Sequence, residues 1–205
     1  MSHPPLLEWV RRLRAVAQTG LTFTEGVFDR QRYEEVRRVA AEMASQDADP
    51  ATVDDVFAGY RGYATPLLIC RAAVFDTADR VLLVREVADG RWTLPGGWID
   101  VGESPRTSVE REVLEETGYE VSAVKLAAVY DKLRHDHPSA PDHAYILFFI
   151  CELLGGEPTP SVETSEVGWF PLDGLPELST GRATEAQILR MGDHHRDPGL
   201  PTDFD

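Results

Sequence analysis

The 205-residue sequence has few cysteines and no long apolar run. Its two cysteines, Cys70 and Cys151, lie in apolar runs typical of strands, so we expect buried, reduced thiols rather than a disulfide framework. No apolar stretch reaches the roughly 20 residues of a membrane-spanning helix, and the first residues lack the basic and apolar order of a signal peptide. These absences predict a cytoplasmic protein without a membrane partner.

Positive charge is also scarce. Twenty Lys and Arg residues stand against 35 Asp and Glu, which gives a formal net charge of −15. Such an excess repels a polyanion unless metal ions or a local basic patch intervene, so we do not expect nucleic acid as the main partner. A small phosphate compound bound through metal ions meets less of this repulsion.

The most informative segment is GWIDVGESPRTSVEREVLEETGY, residues 97–119. Ser104 followed by Pro105 is typical of a helix start, because serine caps free amide groups and proline is preset for the first helical position. Gly118 is a typical helix end. The segment therefore predicts a helix bounded by these residues.

Three glutamates of this predicted helix, Glu112, Glu115 and Glu116, are spaced i, i+3 and i+4 and project from one face. Like charges this close repel one another unless a cation lies against them, and Mg²⁺ takes carboxylate oxygens while keeping positions for phosphate and water. Arg111, four residues before Glu115, is placed to hold that carboxylate. A solvated acidic face is the alternative, and the spacing with its flanking glycines argues against it.

The segment resembles the Nudix box, which is Gly, five residues, Glu, seven residues, then Arg-Glu-apolar-x-Glu-Glu-x-Gly-apolar. Its fixed positions are filled by Gly97, Glu103, Arg111, Glu112, Glu115, Glu116 and Gly118, and its apolar positions by Val113 and Tyr119. The resemblance implies a Nudix α/β/α sandwich around a mixed sheet. It also implies a metal-dependent attack of water on phosphorus in a nucleoside diphosphate linked to another group X.

The resemblance further implies ligands for Mg²⁺ or Mn²⁺. Glu112, Glu115 and Glu116 take this role, joined by the backbone carbonyl of Gly96, while Glu103 supports the metal site from its edge. Carboxylate and carbonyl oxygens are the ligands that such hard cations prefer.

The catalytic base has several candidates. Glu112 is the candidate within the box, where Glu115 and Arg111 complete the expected catalytic set. Glu163 is the candidate in the later segment SVETSEVGWF, with Glu166 as an alternative. A third source is the polar stretch DKLRHDHPSAPDH, which is equally consistent with a solvated connection and contains Asp131, His135, Asp136, His137, Asp142 and His143.

Substrate contacts are expected from arginines and aromatic residues on the predicted strands. Arginines can reach phosphates and aromatic faces can stack on a base. We expect Arg71, Arg85 and Tyr130 to contact the substrate, with Arg91, Trp92 and Trp98 as further candidates. The alternatives are cross-strand ion pairs for the arginines and packing for the aromatic residues.

Hydrophobic periodicity divides the chain into a helical extension at 1–60, a strand-rich domain at 65–192, which the resemblance implies is the Nudix domain, and a polar tail at 193–205. The extension predicts helices over 5–18, ending at Thr19-Gly20, over 28–45 and over 51–58. In the domain, LLICRAAVF and RVLLVRE predict a hairpin. We expect the tail to be disordered or loosely packed, and His194 and His195 to lie at the surface.

The extension carries a second resemblance. LLEWVRRLRAVAQTGLTF followed by FDRQRYEEVRRVAAEM is similar to the N-terminal helices of a bacterial Nudix subfamily that includes CDP-choline pyrophosphatase, and the two resemblances together span about residues 5–172. This implies a homodimer and cleavage of CDP-choline to CMP and phosphocholine, with ADP-ribose as the alternative substrate. An RNA-end or damaged-nucleotide hydrolase and a non-catalytic Nudix-fold module are further alternatives, and the intact box argues against the last.

Overall fold

The computed structural model describes residues 5–45, 49–140 and 142–205. Contacts divide the chain into two compact units, which are Met1–Leu67 with Ser139–His143, and Leu68–Pro138 with Ala144–Asp205. Within the described ranges, no helix is both long enough and apolar enough to cross a membrane.

The first unit is a small helical assembly. Its three helices are α1 (Pro5–Phe23), α2 (Val27–Ala44) and α3 (Pro50–Gly59). They enclose a core of Val10, Ala40, Ala41 and Phe57. An ion pair of 2.8 Å between Arg37 and Asp54 joins α2 to α3.

Helix α1 continues past Gly20, where the sequence predicted its end. Gly20 faces the ring of Tyr33 on α2, and a Cβ atom at this position would collide with that ring. The glycine therefore permits close packing of two helices rather than ending one of them, a difference that the local sequence does not reveal.

The second unit contains seven strands, two α-helices and a short 3-10 helix at Lys132–Arg134. The strands and α-helices are β1 (Leu67–Val74), β2 (Arg80–Glu86), β3 (Trp92–Thr93), α4 (Pro105–Thr117), β4 (Tyr119–Asp131), β5 (Ala144–Gly156), β6 (Thr164–Pro171), α5 (Glu185–Arg196) and β7 (Asp203–Phe204). One sheet has the strand order β1-β5-β4-β7 and the other β3-β2-β6. Because β4 is antiparallel to β5 and parallel to β7, the larger sheet is mixed, as predicted.

Side-chain alternation along β5 explains the two layers of helix. Phe149 and Cys151 share a buried cluster with Val113 of α4. Ile146 and Phe148 have the opposite parity and are also fully buried, so the other face of the strand is covered as well. Helix α5 contacts β5, which completes the predicted α/β/α arrangement. Both cysteines are free and buried, as expected.

The predicted hairpin of β1 and β2 does not form a two-stranded unit. A tight turn and a single bridge between Phe75 and Val81 connect the strands, which then enter different sheets. β2 pairs with β6 along its length and with β3 at Val84 and Arg85, while β1 pairs with β5 in the other sheet.

The segment expected to be a loose tail is ordered. Helix α5 runs to Arg196, and Asp203–Phe204 form β7 beside β4. His194, expected at the surface, is buried instead, with 1% exposure.

Asp203 is the centre of this packing. Its carboxylate accepts hydrogen bonds from Arg190 Nε at 2.6 Å and Tyr130 Oη at 3.1 Å, and it lies 3.1 Å from His194 Nε2. The Arg190 guanidinium above all holds the pKa of this carboxyl well below its usual range.

We predict that Asp203→Asn destabilises the protein by about 1–3 kcal/mol at pH 7, since bonds to a charged partner are lost. A lowered pKa gives stability that is fully present above the carboxyl's unfolded pKa, about 4, and is lost as pH falls below it. Denaturant unfolding of both proteins from pH 7 to pH 3 should therefore show a shrinking difference.

The matched control is Asp193→Asn. Asp193 is half-exposed and pairs at 3.5 Å with Arg190 and at 3.4 Å with Arg196. Such exposed pairs contribute little, so we expect a change of at most about 0.5 kcal/mol. Equal stability of Asp203→Asn and wild type at pH 7 would contradict the assignment.

Candidate functional site

The helix that carries the glutamates begins and ends where the sequence predicted. The side chain of Ser104 caps it by accepting a hydrogen bond of 3.1 Å from the amide of Thr107, and Pro105 follows at the first helical position. Gly118 ends it with φ of 75°, the left-handed conformation that favours glycine. These caps fix the register of α4 and thereby the direction of its glutamates.

The glutamate face of α4 borders a cleft of about 580 Å³ in the second unit. The cleft also receives the Gly96-Gly97 turn, the end of β2, the loop before β6 and the loop before α5. The residues that line the cleft include Arg71, Glu86, Gly96, Gly97, Arg111, Glu112, Glu115, Glu116, Glu163 and Arg182. With Arg71 from β1, six separate stretches of sequence meet at one place.

The peptide of Gly96 is held by charged groups on both sides. Its N–H donates to Glu116 Oε2 at 2.8 Å, and its carbonyl accepts from Nη1 of the buried Arg71. Its φ is +137°, and a Cβ atom would collide with the carbonyl of Cys70. Only glycine suits this position, because of both the backbone conformation and the close approach of β1.

Burial changes the ionisation of the carboxylates at the cleft floor. Burial raises the pKa of Glu116 to about 7, with Arg71 opposing the shift and Glu112 adding to it. Burial also raises the pKa of Glu112, against the attraction of Arg111. Both groups would ionise more readily if a cation approached them.

Arg111 joins several carboxylates. It donates to Glu103 from Nε at 3.1 Å and from Nη2 at 3.1 Å, to Glu112 at 3.1 Å and to Glu115 at 2.8 Å. Its hydrogen bonds lower the pKa of Glu103 below the usual range. Arg111 thus does more than form the predicted pair with Glu115, since it fixes the relative positions of three glutamates.

These residues fit a hard divalent cation by their chemistry. Gly97 leaves room beside the Glu112 carboxylate, because a Cβ atom there would lie 2.9 Å from the carboxylate oxygens. Glu112, Glu116 and the Gly96 carbonyl offer only oxygen atoms as metal ligands, and oxygen ligands are those that Mg²⁺ and Mn²⁺ prefer.

Over the described ranges, no three His, Cys, Asp or Glu side chains converge closely enough to form a ligand set as they stand. The reason lies in the contacts above. Arg111 draws Glu115 and Glu112 toward itself, and Glu116 bonds to the Gly96 amide. The side chains would have to rotate before their oxygens could contact one ion together.

Three charged residues of the cleft were not selected from the sequence: Glu86, Asp100 and Arg182. The Glu86 side chain is 8% exposed and lies 2.8 Å from Arg182 Nε. Glu86 could have been selected from the sequence, because it is the only carboxylate in the apolar run RVLLVRE and a carboxylate is seldom buried unless it is paired. Arg182 has no comparable sequence signal, because its loop meets the cleft only through the fold.

Glu163 lines the cleft as the sequence predicted, from the exposed loop before β6. Its amide donates to Ser161 Oγ at 3.1 Å and its carbonyl accepts from the amide of Val87 at 2.9 Å. The backbone is therefore anchored while the side chain remains exposed.

Three other candidates lie away from this cleft, which corrects their predicted roles. Arg85 donates to Glu166 at 2.6 Å on the exposed face of the sheet, so these two residues form a cross-strand pair. Tyr130 donates to Asp203 and serves the packing of β7. Of the described residues in the stretch 131–143, none lines the cleft.

His137 of that stretch is buried instead. Its Nδ1 lies 2.7 Å from the carbonyl of Thr180 and its Nε2 lies 3.1 Å from Gln187. Burial lowers the pKa of His137 to about 4, so the ring is neutral at pH 7. It acts as a packing contact for the loop before α5 rather than as a base at the cleft.

Comparison with known proteins gives two matching family models. A NUDIX domain model matches residues 68–191, and a model described as a UDP-X-like N-terminal oligomerisation domain matches residues 4–57. The Bacillus subtilis protein YjhB, provisionally named an ADP-ribose pyrophosphatase, is 41% identical over 201 residues, which cover 97% of this chain and 96% of YjhB.

Two solved structures are also similar. An ADP-ribose pyrophosphatase from Streptococcus suis is 42% identical, with a TM-score of 0.64 over 69% of this chain and 100% of that one. A UDP-X diphosphatase is 34% identical, with a TM-score of 0.64 over 98% of both chains. The second likeness therefore extends over the helical extension as well.

We predict that Gly97→Ala lowers kcat/KM by roughly tenfold or more while leaving the melting temperature nearly unchanged. The added methyl group meets only the end of the flexible Glu112 side chain, which can move aside and lose its position. Gly96→Ala should instead destabilise the fold by about 2 kcal/mol or more, because its methyl group meets backbone at a positive φ.

Gly155→Ala is the control, since nothing lies within 4 Å of its added Cβ. Thermal unfolding and steady-state kinetics of the three variants separate the two effects. Full activity of a folded Gly97→Ala protein would show that the position of Glu112 does not matter.

Proposed function

This chain belongs to the Nudix hydrolase family and is a pyrophosphohydrolase, and we propose that its substrate is a nucleoside diphosphate linked to a second group X. ADP-ribose is the first candidate for this substrate. One observation carries the proposal. Glu112, Glu116 and the Gly96 carbonyl present oxygen donors in a cleft that also contains the guanidinium of Arg182.

The choice of ADP-ribose rests on the names of relatives. Both YjhB and the Streptococcus suis protein carry it, while the neighbour that covers the whole chain is a UDP-X diphosphatase. The sequence resemblance pointed to CDP-choline. These compounds share the diphosphate and differ in base and leaving group, which separate pocket hydrogen bonds select.

Members of this family generally use divalent metal ions. We propose Mg²⁺ or Mn²⁺, held by Glu112, Glu115, Glu116 and the Gly96 carbonyl. Such an ion, when bound, neutralises diphosphate charge and lowers the pKa of coordinated water. The raised pKa values of Glu112 and Glu116 support this choice, since both carboxylates lack full compensation of charge.

The chain's own residues supply orientation and proton transfer. Arg111, anchored on Glu103, holds Glu112 and Glu115 in place. Because Glu112 is engaged there, we assign the base to Glu163, which enters the cleft from its exposed loop. The water oxygen bonds to phosphorus as the bridging P–O bond breaks, its proton passes to Glu163, and two phosphate monoesters leave.

The first experiment measures product release from ADP-ribose, CDP-choline, a UDP-sugar, NADH, oxidised dGTP and a short RNA, with Mg²⁺, with Mn²⁺ and with chelator. We expect metal-dependent cleavage of ADP-ribose at the highest kcat/KM. Preference for the CDP or UDP compound would keep the class and replace the first candidate. Preference for RNA or oxidised dGTP, or no turnover of any compound, would overturn the proposed class.

We predict that Glu116→Gln lowers kcat by roughly 10²–10³-fold, the size typical of removing a group that stabilises the transition state. The fold should survive, because the amide oxygen of Gln still accepts from Gly96 and a neutral group suits a buried position. Glu163→Gln should also lower kcat, because an amide cannot accept the proton of the attacking water.

The matched control is Glu152→Gln on the exposed side of β5, which we expect to be unchanged. Melting temperatures report whether each variant is folded. A folded Glu116→Gln enzyme with near wild-type turnover would break the ligand assignment, and near wild-type kcat in a folded Glu163→Gln enzyme would move the base to Glu112.

We further propose that residues 1–60 form the unit through which two copies of the chain associate, while 65–192 carry catalysis. The match to an oligomerisation domain supports this. So does an open groove of about 640 Å³ in the helical unit, bordered by Val16, Phe23 and Tyr63, each more than half exposed. Apolar surface of this kind is typical of a surface covered by a partner.

We predict that Phe23→Glu shifts a homodimer to monomer in size-exclusion chromatography with light scattering. Phe23 is 65% exposed, so its own packing within the chain is slight and the monomer should stay folded by circular dichroism. Val87→Glu, at a 60% exposed position in the other unit, should leave the dimer intact. A wild-type monomer, or a dimeric Phe23→Glu protein, would contradict this assignment.

A further inference from the structure

Three arginines line the cleft, and two of them are committed to the protein. Arg111 bridges the glutamates, and Arg71 is 5% exposed and donates to the carbonyls of Leu94 and Gly96. The third, Arg182, has a side chain that is 32% exposed. Of the three, Arg182 is the one placed to meet a ligand from solvent without breaking the contacts that position the glutamates or the Gly96 turn.

The guanidinium of Arg182 is held in a fixed orientation. Its Nε lies 2.8 Å from the Glu86 carboxylate, and its Nη1 donates to Ser179 Oγ at 3.0 Å. Ser179 in turn donates to Asp89 at 2.7 Å, and that carboxylate lies 3.6 Å from Arg182 Nη1. Two acidic residues and a hydroxyl thus fix the group before any ligand arrives.

The loop that carries Arg182 is also fixed. The amide of Ser179 donates to the carbonyl of Trp92 at 2.8 Å, which ties the loop to β3. His137, in the connection between β4 and β5, contacts the carbonyl of Thr180. Thr184 begins α5 with a capping box. Such support on both sides of Arg182 lowers the entropy lost when it binds a ligand.

The charges of the cleft explain why such a group is needed. Six carboxylates and three guanidiniums line it, so the cleft as a whole repels a diphosphate. Cations bound at the glutamate face of α4 would reduce this repulsion only in the part of the cleft next to that helix. A preset arginine provides a second cationic contact and matches the geometry of phosphate oxygens.

We propose that Arg182 donates directly to a phosphate oxygen of the substrate's diphosphate while its Nε and Nη1 remain on Glu86 and Ser179. This assignment rests on the proposed function and adds a specific binding residue to it. The competing explanation is structural: Arg182 would serve only to neutralise the buried Glu86.

A double variant separates these explanations. Arg182→Gln alone should raise KM about 10- to 100-fold, the effect expected for a lost hydrogen bond to a charged group, with a smaller change in kcat. It should also lower the melting temperature, since Glu86 loses its partner. In Arg182→Gln with Glu86→Gln, the buried charge is gone, so the melting temperature should recover while KM stays high.

Arg182→Lys should restore part of the affinity, because a positive charge remains without the planar guanidinium that Glu86 and Ser179 orient. Arg196→Gln, an exposed arginine on α5, is the matched control and should leave KM unchanged. Recovery of both melting temperature and KM in the double variant would overturn the assignment and leave the structural role. So would an unchanged KM in Arg182→Gln.

These assays use whichever compound of the substrate panel the wild-type enzyme cleaves. No turnover of any compound would be a failure of the proposed function and not of this assignment. In that case calorimetric titration with methylenediphosphonate and Mg²⁺ decides the role of Arg182. Binding by wild type that is lost in the double variant supports a phosphate contact, whereas equal binding, or none by wild type, overturns it.

Discussion

The peptide of Gly96 links strand β1, helix α4 and the Gly96-Gly97 turn, and the positions of the site's glutamates depend on it. Arg71 from β1 binds its carbonyl and Glu116 from α4 accepts from its amide. The turn is thereby fixed between a strand and a helix, in a conformation open only to glycine. Gly97, next in sequence, then lies against the Glu112 carboxylate. One peptide therefore sets the spacing between the backbone carbonyl and two glutamates.

This arrangement buries charge, which is costly for any fold unless the charges compensate one another. Burial lowers the pKa of Arg71 and raises those of Glu86 and Glu116, so each group is shifted toward its neutral form. Apolar residues of similar volume would avoid this cost. The retained charges are better explained by a ligand that carries both negative phosphates and positive ions than by stability.

The sequence predicts the helix of the box in detail because its information is local. Ser104, the spaced glutamates and Gly118 all act within four turns of one helix. Glu86 and Asp89 lie at and just after the end of β2, Arg182 lies in the loop before α5, and only the fold brings that loop to them. Arg85 and Tyr130 failed for the same reason: a residue type on a strand does not reveal which neighbour the side chain meets. The prediction that α1 ends at Gly20 was wrong for a different reason. A glycine can end a helix or let a second helix pack closely, and the local sequence does not distinguish the two.

The position of β7 has a consequence for the order of folding during synthesis. This strand lies parallel to β4 although more than 70 residues separate Tyr130 from its partner Asp203. The earlier helices contain mostly local contacts and can form while translation continues. The larger sheet, however, keeps an uncovered edge until residue 203 has left the ribosome. During that interval the β4 edge at Ala128 and Val129 is open to pairing with other chains, and docking of the last strand covers this part of it.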